Sequence, residues 1–419
     1  MKFNKLAENI TSLITLKGAE YLLNFILFPY LVRVLGVERF GAIAFMQGIV
    51  QYGVILVDYG FNLTGPRDIA RATDKKDIAR IFSAVMMSKL LLFLVVTFAS
   101  FFIIKAIAWL GYDFDGLLYW SVYLLVLGNL IFPVWFFQGI QKMRYITLFN
   151  IIARSVTLIL VFSLVRSPDD YLFAALFQSS TLLLAGIFSV FLLKKEFSYI
   201  FILPEWMEIK KTMAGGWHIF LSTIAINIYT TTNTVILGLL ANNTVVGYFS
   251  TANKLVECVK GVMFTINQAV YPYVSDKLKK RGKYPTLTFL KKYFLYYSGA
   301  SFVGGMILLI LSPFIVQCLF GSGYDESIYI LRTMSFLPFI ISISNVFGIQ
   351  IMLNFGYQKV FSKILIFASV IDFLFVIPFA VYLQGFGIAI TMIFVELFVT
   401  VCTVGYVYFK VLKGTQTIY

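Results

Sequence analysis

Residues 29–71, PYLVRVLGVERFGAIAFMQGIVQYGVILVDYGFNLTGPRDIAR, hold the end of one apolar segment, a turn between Gly36 and Gly41, a second apolar segment and a charged exit. The plan recurs at residues 236–280, ILGLLANNTVVGYFSTANKLVECVKGVMFTINQAVYPYVSDKLKK. The turn glycines Gly41 and Gly247 and the exit prolines Pro66 and Pro272 share an offset of 206 residues, close to half the chain. Two points with one offset indicate an internal duplication.

Composition fixes the class. The chain is 60% hydrophobic and 13% charged, with mean hydropathy +0.87, outside the range of ordinary soluble proteins. Apolar runs of about twenty residues or more recur from end to end, each long enough to cross a ~30 Å hydrocarbon core as a helix. The ~10-residue alternating segments of a closed barrel are absent. The expectation is an all-α integral membrane protein with twelve spans, near 10–34, 38–64, 80–108, 117–138, 145–165, 170–193, 213–240, 244–274, 288–311, 326–354, 359–383 and 386–411. No small-residue cleavage site follows the first apolar core, so the first span reads as retained.

Lys and Arg set the orientation. They crowd the even-to-odd loops and both ends, as in Arg67, Arg71, Lys75, Lys76 and Arg80 after span 2 and Lys277, Lys279, Lys280 and Arg281 after span 8. The opposite loops hold little beyond Arg33, Arg39, Lys105 and Arg166. Both termini are expected to be cytoplasmic. The net charge of +14 then reads as a topology signal and an attraction to anionic lipid, and no nucleic-acid partner is expected. The long connection KKEFSYIFILPEWMEIKK, residues 194–211, suits a segment lying along the interface. It divides an N-terminal six-helix lobe, 1–195, from a linker, 196–211, and a C-terminal six-helix lobe, 212–419. Because each half begins inside and has an even number of spans, the halves are expected to be parallel repeats about an axis along the membrane normal, with a cavity between lobes. A second echo pairs Gly139-Ile140-Gln141-Lys142 with Gly356-Tyr357-Gln358-Lys359 at an offset of 217. Trp109, Trp120 and Trp217 fall near span ends, where amphipathic rings are stable.

Chemistry at membrane depth rests on few residues. Lys17, Lys89, Arg154, Lys254 and Lys260 lie inside expected spans. Facing lipid, each would cost roughly 2.5–3.5 kcal/mol, about 12–17 kcal/mol together, so most must face protein or water. Lys254, Glu257 and Lys260 share one helix face, as do Lys17, Glu20 and Asn24. Thr223, Asn227, Thr230, Thr231 and Thr234 form a polar stripe along span 7. These groups, with Lys89 and Arg154, are candidate cavity residues, and Asp58, Asp372 and Glu396 are candidate proton carriers. Plainer readings stand beside them. Lys-Glu pairs neutralise each other, Thr and Asn stripes join helices, and Lys89 and Arg154 can snorkel from near span ends. His218 reads as interfacial. Pro29, Pro133, Pro338 and Pro378 permit either gating bends or static kinks.

Absences narrow the function. No phosphate-binding Gly-rich loop, H-E-x-x-H, G-x-S-x-G or Cys/His cluster occurs. Cys258, Cys318 and Cys402 are widely separated in apolar spans. No cofactor or metal is expected, and no external loop is long enough to build an active site.

The segments FPYLVRVLGVERFG (28–41), DYGFNLTGPRDIA (58–70), NLIFPVWFFQGIQKM (129–143), QAVYPYVS (268–275) and LPFIISISNVFGIQIML (337–353) together resemble bacterial O-antigen flippases of the Wzx type, in the multidrug/oligosaccharidyl-lipid/polysaccharide exporter superfamily. The resemblance covers essentially the whole chain. It implies two six-helix lobes in a V around a central cavity, in the bacterial inner membrane. It further implies a substrate of undecaprenyl-diphosphate-linked oligosaccharide turned from the cytoplasmic to the periplasmic leaflet, with an O-antigen polymerase and chain-length regulator as candidate partners. It carries over no residue-level binding signature. Cationic groups for phosphate, amides and hydroxyls for sugar, and aromatic faces such as Tyr229 and Tyr271 would meet such a substrate's needs. Three rivals share parts of this reading. A cation-coupled drug exporter would want an apolar, acidic cavity, which the intramembrane lysines oppose. A membrane polymerase or ligase is disfavoured by the short external loops. A sugar symporter of the other large twelve-helix family would need a Gly-rich basic signature that GPRDIARATDKKD, residues 65–77, lacks.

Overall fold

The computed structural model describes residues 3–72, 74–110, 114–196 and 202–412; within these, the side chains at 3–17, 19–21, 24, 108, 196, 218, 222, 223, 225, 226, 228–230 and 412 lie outside the description. Every regular element among the described residues is helical. They run α1 Phe3–Asp58, α2 Phe61–Arg71, α3 Lys75–Trp109, α4 Gly116–Ile131, α5 Val134–Gly139, α6 Arg144–Leu164 and α7 Tyr171–Glu196. The second half continues with α8 Trp206–Leu240, α9 Asn243–Arg281, α10 Lys283–Phe320, α11 Asp325–Met334, α12 Leu337–Ser344 and α13 Gln358–Val407. A π-helical stretch, Asn345–Leu353, extends α12.

Eight helical stretches among the described residues are long and apolar enough to cross a bilayer. The chain is a multi-pass membrane protein. Exposed Val95, Phe98, Phe102, Phe314 and Leu374 are where a bilayer, not water, is the solvent.

Expected spans 1 and 2 form one helical run, broken only at Gly36 (φ 73°, ψ 169°). Spans 11 and 12 likewise join within α13, at Gln384 (φ 51°, ψ −131°). Span 4 is split by Pro133 into α4 and α5, since proline supplies no N–H to the ladder. Gly36 lies 206 residues before Asn242, whose Oδ1 accepts the Val245 N–H at 3.0 Å to start α9. The two positions of the first echo are thus a break in α1 and the start of α9. In the second echo the geometric partners shift. Gln141 (φ 58°) and Gly356 (φ 86°) take the left-handed position. The next residues, Lys142 and Tyr357, donate N–H to Phe137 and Met352 carbonyls at 2.9 and 2.8 Å. These are matching helix ends of the Schellman type, and they pair Gln141, not Gly139, with Gly356.

The chain divides into two compact units, Val34–Asn227 and Met1–Arg33 with Ile228–Tyr419. The residues before Val34 make their contacts with the unit that holds Ile228–Tyr419. Specific ties explain this. The Tyr324 hydroxyl donates to the Val32 carbonyl at 2.8 Å, and Arg33 donates to the Cys318 and Leu319 carbonyls at the end of α10. A guanidinium there satisfies carbonyls the helix leaves open.

In the unit Val34–Asn227, an aromatic core gathers Phe61, Phe82, Trp135, Phe136, Phe137, Phe149 and Phe220. A Cβ on Gly65 would come within 2.5 Å of Trp135, and one on Gly139 within 2.8 Å of Ile69. Two of the segments that carry the family resemblance, 58–70 and 129–143, therefore pack on each other. In the other unit, Gln350 Nε2 donates to both the carbonyl and Oδ1 of Asn267 at 2.8 Å, and Tyr293 reaches the same Oδ1 at 3.2 Å. This knot ties the π-helical stretch to α9 and α10.

Helices α4 and α7 come close at Gly128, where a Cβ would lie 2.6 Å from the Leu183 backbone nitrogen. Small residues let membrane helices meet in this way. Gly128→Ala is expected to cost about 1–3 kcal/mol by overpacking against backbone that cannot yield. Gly405→Ala, where a Cβ meets nothing within 4 Å, is expected to stay within about 0.5 kcal/mol of the parent. Thermal unfolding in detergent distinguishes the two, and equal midpoints would refute the close-packing account.

Candidate functional site

Two polar clusters lie at membrane depth, one in each unit. In the unit Val34–Asn227, Lys89 on α3 is 1% exposed. Its Nζ stands 3.3 Å from Asp58 Oδ1 at the end of α1 and donates to the Asn129 carbonyl on α4 at 3.0 Å. Asn62 Nδ2 donates to the other Asp58 oxygen at 2.5 Å. Lys89 is buried and its ammonium faces Asp58 and the Asn129 carbonyl, not an interface. Both groups belong to one buried ion pair whose stability depends on each partner remaining.

The second cluster lines a cavity of about 180 Å³ in the other unit, bounded by α9, α12 and α13. Four expected site residues converge there: Glu257 and Lys260 from α9, and Asp372 and Glu396 from α13. Helical spacing brings them to one side. Glu257 and Lys260 are one turn apart and pair at 2.6 Å; Asp372 and Glu396 come from the two arms of α13 that reverse at Gln384. Asp372 accepts from Asn233 Nδ2 on α8 at 3.4 Å, while its Oδ2 is buried without a hydrogen-bond partner. Asn253 Oδ1 is likewise buried and unpartnered in the cavity wall. Three carboxylates face one lysine. The cavity is acidic, where the α9 lysines alone suggested a cationic one. Unpartnered acceptors and surplus carboxylates suit a proton or a small cation and repel phosphate.

Of the remaining candidates, Lys254 is exposed, and Arg154, Asn227 and Thr234 are half-buried. The side chains of Lys17, Glu20, Asn24, Thr223, Tyr229, Thr230 and His218 lie outside the described set. Asn233 and Asn253 escaped the sequence reading. Asn253 precedes Glu257 by four residues and Lys260 by seven, a helical spacing that could have revealed it. Asn233 lies off the Thr stripe and offered no such signal.

Residues 6–277 match the family model described as "Polysaccharide biosynthesis protein". Across 406 residues, 96% of either chain, this sequence is 37% identical to a protein of Escherichia coli (strain K12) named "Putative O-antigen transporter". The chain belongs to this family. A Shigella dysenteriae protein with the same name is 31% identical over 399 residues, 94% of this chain and 97% of its own. Both relatives are named as transporters, and this family member is a membrane transporter, not an enzyme. Its fold is that of the MOP superfamily. An inward-facing multidrug resistance MATE family transporter superposes with TM-score 0.76 at 15% identity, covering 96% of each chain. The lipid II flippase MurJ, in an inward closed conformation, gives TM-score 0.73 at 13% identity, covering 95% of this chain and 87% of that one.

Proposed function

We propose that this transporter turns an undecaprenyl-diphosphate-linked O-antigen oligosaccharide from the cytoplasmic to the periplasmic leaflet of the inner membrane by alternating access, with both termini cytoplasmic. The observation that carries the reading is its near-full-length similarity to the Escherichia coli transporter. The lobes are those of the sequence reading, 1–195 and 212–419, joined by the linker 196–211. Lys17, Glu20, Asn24, Arg154, Asn227, Thr230, Thr234 and Lys254 are assigned to the headgroup path. Asp372 and Glu396, with the Glu257–Lys260 pair beside them, are assigned to coupling. Asp58 and Lys89, first candidates for coupling and binding, are assigned to the framework because each satisfies the other. An O-antigen polymerase and chain-length regulator are the proposed partners at the exit side.

An inside-negative potential favours outward movement of an anionic headgroup by roughly 2.3 kcal/mol per charge per 100 mV. An acidic cavity also suits a cation-coupled drug exporter, so that reading remains the second one. A deletion strain separates them. Loss of all surface O-antigen, restored by the plasmid-borne gene, supports the flippase. A surface with single repeat units would indicate a polymerase, and altered drug susceptibility with normal O-antigen would indicate the exporter.

A further inference from the structure

A pocket of about 530 Å³ opens at the basic ends of α2, α3 and α8, within the unit Val34–Asn227. Arg67 and Arg71 from α2, Arg80 from α3 and Lys211 from α8 line it. Three carboxylates share the wall: Asp68 pairs with the neighbouring Arg67 at 2.9 Å, and Glu208 accepts the Glu205 N–H at 3.0 Å. Asp77 sits in the first turn of α3, where the helix dipole holds a negative charge. Arg71, Arg80 and Lys211 form no ion pair among the described residues. Four cations from three helices therefore face three carboxylates in one pocket, one of which is already paired with Arg67, so the pocket keeps a net positive charge.

The pocket's surroundings favour a lipid. Leu203, Trp206 and Met207 stand exposed at the start of α8 beside the basic wall. The Ile202 N–H donates to Ser83 Oγ on α3 at 2.8 Å, fixing this stretch against the helix that carries Arg80. Basic pockets between membrane helices with exposed apolar and aromatic neighbours match the headgroup and chain ends of an anionic lipid.

We propose that Arg71, Arg80 and Lys211 form a binding site for the phosphate group of a membrane lipid, held where the linker enters α8. The site is separate from the acidic cavity, and its binding test is independent of transport. Purified full-length protein in zwitterionic nanodiscs would be titrated with phosphatidylglycerol, and in parallel with inorganic pyrophosphate, with native mass spectrometry and thermal unfolding as readouts. The lipid is expected to bind and raise the unfolding midpoint. The R71Q/R80Q/K211Q variant is expected to bind on the order of a hundredfold more weakly, at roughly one kcal/mol per cation. The charge-conserving R71K/R80K/K211R variant should retain binding, which guards against a folding artefact. K279Q/K280Q, on the basic end of α9, should bind as the parent does. Stabilisation by lipid alone assigns the site to a lipid headgroup; stabilisation by pyrophosphate as well assigns it to the phosphate group whatever carries it. Equal lipid binding by the parent and the triple Gln variant, or no binding of either probe by the parent, overturns the proposal.

Discussion

Lys89→Met is expected to lower stability by about 3–5 kcal/mol, the range for removing one partner of a buried ion pair. The change leaves the Asp58 carboxylate with Asn62 as its remaining side-chain donor, in a site where the lysine is 1% exposed. Asp58 itself keeps 17% side-chain exposure, which places the expected loss toward the lower end. The double variant Lys89→Met with Asp58→Asn removes both charges and is expected to recover most of the loss, because a neutral pair incurs far less desolvation. Unfolding midpoints of the two singles and the double complete the cycle. A Lys89→Met protein as stable as the parent would contradict the framework role and return Lys89 to the list of candidate substrate contacts.

The second large effect concerns the acidic cavity. Asp372→Asn and Glu396→Gln are each expected to reduce surface O-antigen at least about tenfold, equivalent to about 1.4 kcal/mol, with normal protein levels. Asparagine matches the shape of Asp372 and can still meet Asn233, so packing should survive while the exchangeable charge is lost. Intramembrane carboxylates that are not neutralised by a partner are functional candidates by default, and Asp372 Oδ2 has none. The export that remains in either variant should lose its dependence on external pH. Full activity in both variants would remove these carboxylates from the coupling role and leave the cavity a packing defect filled by water.

Fold class was legible in the sequence because hydropathy acts locally: a bilayer demands long apolar helices wherever the chain crosses it. The break at Gly36 was legible too, since glycine tolerates the positive φ found there. The reversal at Gln384 was not marked by its own residue type. A non-glycine at φ 51° is a position that the surrounding structure enforces, and only the adjacent Gly385 hinted at it. Charged residues at membrane depth could be found, but not what they do. Lys89 and Asp58 are 31 residues apart in number, and Asn233 and Asp372 are 139 apart. Such pairs are decided by tertiary packing, which no local periodicity encodes. The family segments show the same division. Residues 58–70 and 129–143 carried the resemblance without a binding signature, and Trp135, Phe136 and Phe137 are fully buried and serve as the core on which α2 rests.

The most direct test is transbilayer movement in vesicles holding only the purified protein and a fluorescent undecaprenyl-diphosphate oligosaccharide. The fraction of label reached by a membrane-impermeant quencher is followed with time. The flippase account predicts that the inner-leaflet label becomes accessible at a rate proportional to protein content, faster under an applied potential that drives anions outward. A rate equal to that of protein-free vesicles, with the protein shown to be folded, would contradict it.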